Sequence, residues 1–303
     1  MSTVTLTQLP ATQWRELARQ HAERADTLTA TWREAHDAHK KHEIEDFLFS
    51  YYPVRPARLR HWTPGAGVAL APCDSPDVAD APEVGEDLSQ RAQARWFTQH
   101  DGAVMLDVES FMADRGSAVK YIHSILSSTQ TRPANLGCFG LHEWAMVYRD
   151  DETRHDLPLR LGGAGTDDVV EANKIRCTHF DAFRFFTPEA VPLNKLAPTR
   201  ETQPLLEQPG CLHANMDLYK WAWKLYPAIP GDLLLDCFEL ARDIRYLDMQ
   251  ASPYDVSKFD LPPVRIETPE GKAEYTERQR GFAERSAPLR ARLVECCERL
   301  LAQ

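Results

Sequence analysis

Apolar residues recur at three- and four-residue steps through residues 11–41, with Trp14, Leu17, His21, Ala25 and Leu28 on one side. That spacing predicts an amphipathic helix. A dense aromatic stretch, Ile44 to Tyr52, follows and is ended by Pro53. Residues 63–90 gather prolines, glycines and acids, including Pro64-Gly65-Ala66-Gly67 and Asp74-Ser75-Pro76-Asp77, and are predicted to be a long exposed loop or flap. Val108, Phe111, Met112, Val119, Ile122, Ile125 and Leu126 form the apolar face of a helix over 107–128. Residues 139–148 read as a short, largely buried helix. Residues 175–186 alternate and carry aromatics, which predicts a strand, and Gly162-Gly163-Ala164-Gly165 before it reads as a turn. Helices are predicted over 211–226 and 230–249, punctuated by Pro204, Pro209 and Pro227, and a charged helix over 269–301. The sum is a mainly α, α-rich α+β chain: one globular helical domain over 1–303 with a small strand component.

Composition narrows the class without naming a reaction. Apolar residues are 43% and charged residues 26% of the 303, an ordinary soluble globular balance. No apolar run reaches the roughly 18 residues of a spanning helix, so no membrane partner is expected. The N-terminus lacks a basic-then-apolar leader pattern, which points to the cytoplasm. Seven cysteines form no CxxC pair, so reduced, packed thiols are expected rather than a zinc ribbon or disulfide scaffold. The net charge of −10 disfavours broad DNA affinity, because nucleic-acid binding relies on Lys and Arg neutralising phosphates.

Three short segments pair histidine with an acid in apolar company: His142-Glu143, His179 to Asp181, and His213 to Asp217. Such groups rarely enter an interior unless they are paired or bound to a metal. On a strand, His179 and Asp181 would share a face with Cys177, the spacing of a metal-binding pair and of a plain structural hydrogen bond. On a helix, His213 and Asp217 stack at i, i+4, with Trp221 continuing that face, Tyr219 and Trp223 flanking it and Asn215 elsewhere. His142 and Glu143 point roughly 100° apart, so only one would face a common pocket. Glu239 and Asp243, with Asp236 nearby and Arg242 and Arg245 interleaved, read as a salt-bridged helix face. Asp248 is a further carboxylate in apolar company. His36, His39 and His42 drift around a helix and read as a solvated face. Nucleophilic motifs are missing, and Cys177 near His179 is the one Cys–His proximity worth noting.

Read from residue types, the chain is a metal enzyme in which His179, Asp181 and His213 bind Fe²⁺ or Zn²⁺. Asp217 and His142 would be further ligands or would support them, and the substrate would be a small aromatic or nucleobase-like molecule. A non-catalytic helical domain that binds proteins is the other reading. The segments His42-Glu43-Ile44-Glu45-Asp46-Phe47-Leu48-Phe49, Gly137-Cys138-Phe139-Gly140-Leu141-His142-Glu143-Trp144, Arg176-Cys177-Thr178-His179-Phe180-Asp181, Gly210-Cys211-Leu212-His213-Ala214-Asn215-Met216-Asp217 and Cys237-Phe238-Glu239-Leu240-Ala241-Arg242-Asp243 resemble an actinobacterial family commonly labelled 3-methyladenine DNA glycosylase. That resemblance implies N-glycosidic removal of an alkylated nucleobase. Asp181, Asp217, Asp243 and Glu143 would be the candidate catalytic carboxylates, and Trp144, Phe180, Asn215, Tyr219 and Trp221 the substrate contacts.

Overall fold

The computed structural model describes residues 7–72, 88–150, 153 and 155–302. The chain enters through strand β1 (Thr7–Leu9) and helices α1 (Ala11–Leu28) and α2 (Ala30–Asp37). The single helix predicted over 11–41 breaks at Thr29. Its backbone leaves the helical region (φ −105°, ψ 5°), and its hydroxyl donates back to the Ala25 carbonyl at 2.8 Å. The aromatic stretch supplies α3 (Asp46–Ser50), followed by α4 (Pro56–Leu59).

Strand β2 (Val68–Leu70) and helix α5 (Leu88–Ala92) occupy the two ends of the segment predicted as a loop over 63–90, and residues 73–87 lie outside the described residues. Strands β3 (Phe97–His100) and β4 (Ala103–Leu106) complete a four-stranded sheet in the order β1-β2-β4-β3. β1 runs parallel to β2, and the other two pairings are antiparallel.

Helix then dominates: α6 (Val108–Gln130), α7 (Leu141–Ala145), α8 (Gly162–Ala172), α9 (Phe180–Phe183), α10 (Gln203–Leu206), α11 (Leu212–Met216), α12 (Leu218–Leu225), α13 (Gly231–Ala251) and α14 (Pro269–Leu301). The chain is mainly α, as its periodicity predicts. Among the described residues no helix is long and apolar enough to cross a membrane.

Local chemistry sets the ends of the long helices. The Asp107 carboxylate accepts from the Ser110 amide at 3.0 Å to cap α6, and the Thr268 hydroxyl accepts from the Gly271 amide at 3.1 Å ahead of Pro269 to cap α14. α14 packs along α6, and α13 packs against α11, α12 and α14. On α13, Leu233, Leu234, Leu235, Phe238, Leu240, Ile244 and Leu247 are all buried. Each contributes roughly 1.5–3 kcal/mol relative to exposure. α13 is thus the spine of the core, and whatever polar side chain it carries inward is held on rigid backbone.

Two expectations are overturned locally. The glycine run at 162–165 opens α8 instead of turning. Residues 175–186 form no strand: Ile175 makes one isolated bridge to Asn194, and α9 begins five residues later. Asn194 takes the place of a partner strand. Its side chain accepts from the Cys177 amide at 2.8 Å and donates to the Cys177 carbonyl at 3.0 Å. The alternating apolar pattern therefore marks an extended segment whose backbone is satisfied by a side chain.

Candidate functional site: a buried histidine–carboxylate centre

A left-handed pair, Phe139 (φ 50°) and Gly140 (φ 72°), turns the chain into α7. A Cβ on Gly140 would stand 3.3 Å from the Tyr275 ring, so the positive φ and the close approach both favour glycine. This turn drives His142 and Glu143 into the core, and both are buried. His142 Nε2 lies 3.0 Å from Asp248 Oδ1, and its Nδ1 lies 3.5 Å from the Cys138 sulfur. Arg245 donates to Asp248 Oδ2 at 3.0 Å, and the same nitrogen stands 3.7 Å from Glu143 Oε1. Asp248 and Arg245 both come from α13.

His179 is the N-cap of α9, and its Nδ1 accepts from the Ala182 amide at 3.2 Å. Its Nε2 lies 3.2 Å from Asp217 Oδ2 and 3.5 Å from Glu207 Oε1. Asp217 also accepts from the Tyr52 hydroxyl at 3.0 Å and from Lys220, which donates to Asp181 at 2.9 Å as well. His179 and Asp181 therefore do not pair from one strand face: the imidazole turns to Asp217 and the carboxylate to Lys220.

His213 stands between the two groups. Its ring centroid is 4.4 Å from that of His142 and 5.3 Å from that of His179. Despite their i, i+4 spacing, His213 and Asp217 serve different neighbours. His213 Nδ1 is buried with no hydrogen-bond partner. One ligand atom each from His142, Glu143, His213 and Asp248 lie within 4.8 Å of one another, and the same holds for His179, Glu207 and Asp217. These are two adjoining sets of metal-ligand type, both buried.

Burial and neighbouring charge divide the protons among these groups. Burial opposes the charge on Asp248, yet His142 and then Arg245 hold its carboxyl well below the usual range. Asp217 is likewise held low against burial by Lys220 and His179. Burial raises Glu143, reinforced by Asp248, and burial raises Glu207. Burial disfavours charge on His142, but the Asp248 carboxylate wins and its pKa rises well above 6.5. His213 goes the other way: burial, then the charge of His142, push it down to about 3. The centre thus offers a neutral imidazole beside ionised carboxylates.

Between about 3 and 6.5 the unfolded chain takes up a proton that folded His213 refuses, so stability falls as the pH drops through that window. This group alone contributes a fall of up to about 4–5 kcal/mol. Raised Glu143 and Glu207 bind protons more readily when folded and offset part of it. In metal-free protein, His213→Gln is expected to flatten the decline between about pH 6.5 and 4 in urea titrations. An unchanged slope would show that His213 is not held neutral.

A cavity of about 320 Å³ reaches the centre, with Glu143, His213, Arg245 and Asp181 in its lining and Phe47, Tyr51 and Phe185 among its walls. Trp144, Tyr219 and Asn215 are buried in the core, where Trp144 donates to the Ala251 carbonyl at 2.9 Å and Asn215 accepts from Arg290 at 2.5 Å. Phe180 is half-buried with the Arg200 guanidinium 5.6 Å above its ring, and Trp221 lines a second cavity. Asp243 stands apart from both ligand sets, held by Arg285 at 2.6 Å and Arg242 at 3.5 Å. Glu239 and Asp236 pair with Arg24 in the same way. His42 is no part of a solvated face: it is buried, and its Nδ1 accepts from the Glu45 amide at 3.2 Å.

Sequence reasoning missed Cys138, Glu207, Tyr52 and Lys220. Cys138 stands four residues before His142 and Lys220 three after Asp217, helical spacings visible in the chain. Glu207 and Tyr52 offer no such local signal. The fold and centre together define a mainly α protein built around a double histidine–carboxylate cluster. Comparison with protein-family models, curated proteins and solved structures finds no match to the chain.

Proposed function

We propose that the protein is a metal-dependent enzyme, a hydrolase or an oxygenase, whose centre binds Fe²⁺ or Zn²⁺ through His142, Glu143, His213 and Asp248. The observation that carries this reading is His213: a neutral imidazole with a buried, unpartnered Nδ1 beside two carboxylates and a second histidine. An unsatisfied buried nitrogen costs about 1–3 kcal/mol, a cost that coordination to a cation removes. Two imidazoles and two carboxylates suit either metal, and its binding releases the proton that Asp248 holds on His142. The bound ion would supply Lewis-acid or redox chemistry. Arg245 orients Asp248 and Glu143, Cys138 sits against the far nitrogen of His142, and the aromatic walls exclude water from a small aromatic substrate.

Metal analysis of protein purified without a polyhistidine tag tests this. About one equivalent of Fe or Zn is expected, lost in His213→Ala and retained in His36→Ala. Less than about one-tenth of an equivalent sinks the proposal. N-glycosidic hydrolysis remains the second reading, favoured by Asp181 and Trp221 lining one cavity. Base release from alkylated DNA that survives chelation and is lost in Asp181→Asn would establish it instead.

A further inference from the structure

The second cavity, about 670 Å³, adjoins the first and shares Ser50, Tyr51 and Asp181 with it. Five cationic side chains line it, Arg115, Arg184, Arg200, Lys220 and Lys224, against one carboxylate, Asp181. In a chain of net charge −10 that is a marked segregation of sign. Asp181 is already engaged by Lys220 at 2.9 Å and Arg184 at 3.4 Å. Among the described residues no carboxylate pairs with Arg115, Arg200 or Lys224.

The three unpaired cations stand close enough to repel one another. Partial burial and then the charges of Arg115, Lys220 and Arg200 pull the Lys224 pKa down. Arg115 Nη2 donates to the Lys224 carbonyl at 3.0 Å, which ties α6 to α12, while its Nε is buried without a partner. A solvated face would intersperse acids among such charges. Tyr121, Trp221 and Trp223 add aromatic surface to the same cavity. A third cavity continues from it through Arg115 and Trp223, but its Arg95 is held by Asp114 at 2.7 Å.

We propose that this basic cavity seats the phosphate of a small phosphorylated aromatic molecule, whose ring lies toward the Tyr51–Asp181 wall and the histidine–carboxylate centre. A phosphate monoester carries up to two negative charges and three strong acceptor oxygens, which match converging Arg and Lys donors. A single carboxylate would leave charge uncompensated. The cavity size is that of a small-molecule site. The ring placement rests on the metal-centre reading; the phosphate seat does not.

Calorimetric titration of the whole untagged protein at low salt tests the seat, with phenyl phosphate as probe. Phenyl phosphate is expected to bind at one site, about tenfold or more tighter than phenol or inorganic phosphate. The double substitution Arg200→Ala with Lys224→Ala, both exposed, is expected to weaken it about tenfold or more without changing the melting temperature. Equal affinity for phenol or for inorganic phosphate, or an unaffected double variant, overturns the proposal. So does a single-stranded oligonucleotide whose affinity climbs with length, which would make the second and third cavities one strand-binding groove.

Repeating the titration on chelator-treated protein separates the two readings. A seat retained in a chain that never held metal sinks the metal reading alone, and a metal-loaded chain with no seat sinks this one alone. In cobalt-loaded protein, phenyl phosphate is expected to shift the visible spectrum and inorganic phosphate to leave it unchanged. No shift with phenyl phosphate overturns the ring placement.

Discussion

Asp217→Ala is expected to lower folding stability by about 3–5 kcal/mol, the range for breaking a buried ion pair from one side. Asp217 accepts from Tyr52, His179 and Lys220, and all four side chains are largely or wholly withdrawn from water. Alanine strands an ammonium group that can turn only to Asp181, and leaves a tyrosine hydroxyl and an imidazole without their acceptor. Asp217→Asn keeps the shape and loses the charge, so its cost should fall between those of wild type and alanine. Urea unfolding at neutral pH reads both. A loss below about 1 kcal/mol for alanine would mean that water satisfies the stranded groups.

Arg245→Gln is expected to act with two signs. In metal-free protein it should cost about 3–5 kcal/mol, because Asp248 and Glu143 lose their buried guanidinium. The same guanidinium carries a positive charge to the edge of the proposed metal site, 3.0 Å from one candidate ligand and 3.7 Å from another. Removing it relieves like-charge repulsion, so metal affinity should rise about tenfold or more. Competition with a chromogenic chelator measures the affinity, and urea titration of the metal-free variant measures the stability. Weaker metal binding together with the stability loss would show that Arg245 shapes the ligand set more than it repels the ion.

Periodicity made α6, α13 and α14 legible because long amphipathic helices repeat the same spacing many times. Residues 175–186 misled because extended backbone and a true strand share one alternation, and only the position of Asn194 tells them apart. Residue type and apolar flanks were enough to single out His142, His179, His213 and Asp217. Their pairings were not legible. Asp248 reaches His142 across 106 positions and Tyr52 reaches Asp217 across 165, and no local rule anticipates such contacts. Geometry also reversed one local inference: the Cys–His contact belongs to Cys138 and His142, while the Cys177 thiol leans on the His179 carbonyl at 3.5 Å.

The separation of these partners along the chain governs when the centre can exist. Tyr52, Glu143, His179, Asp217 and Asp248 meet only after loops of tens to more than a hundred and fifty residues have closed, each at an entropic cost. Until then every carboxylate and imidazole is hydrated and gains nothing from its eventual neighbours. The centre is therefore expected to form late on the folding path, so that Asp217→Asn should speed unfolding more than it slows folding. A proton or metal ion held there would then act as a latch that slows escape from the native state and not as a seed that hastens arrival.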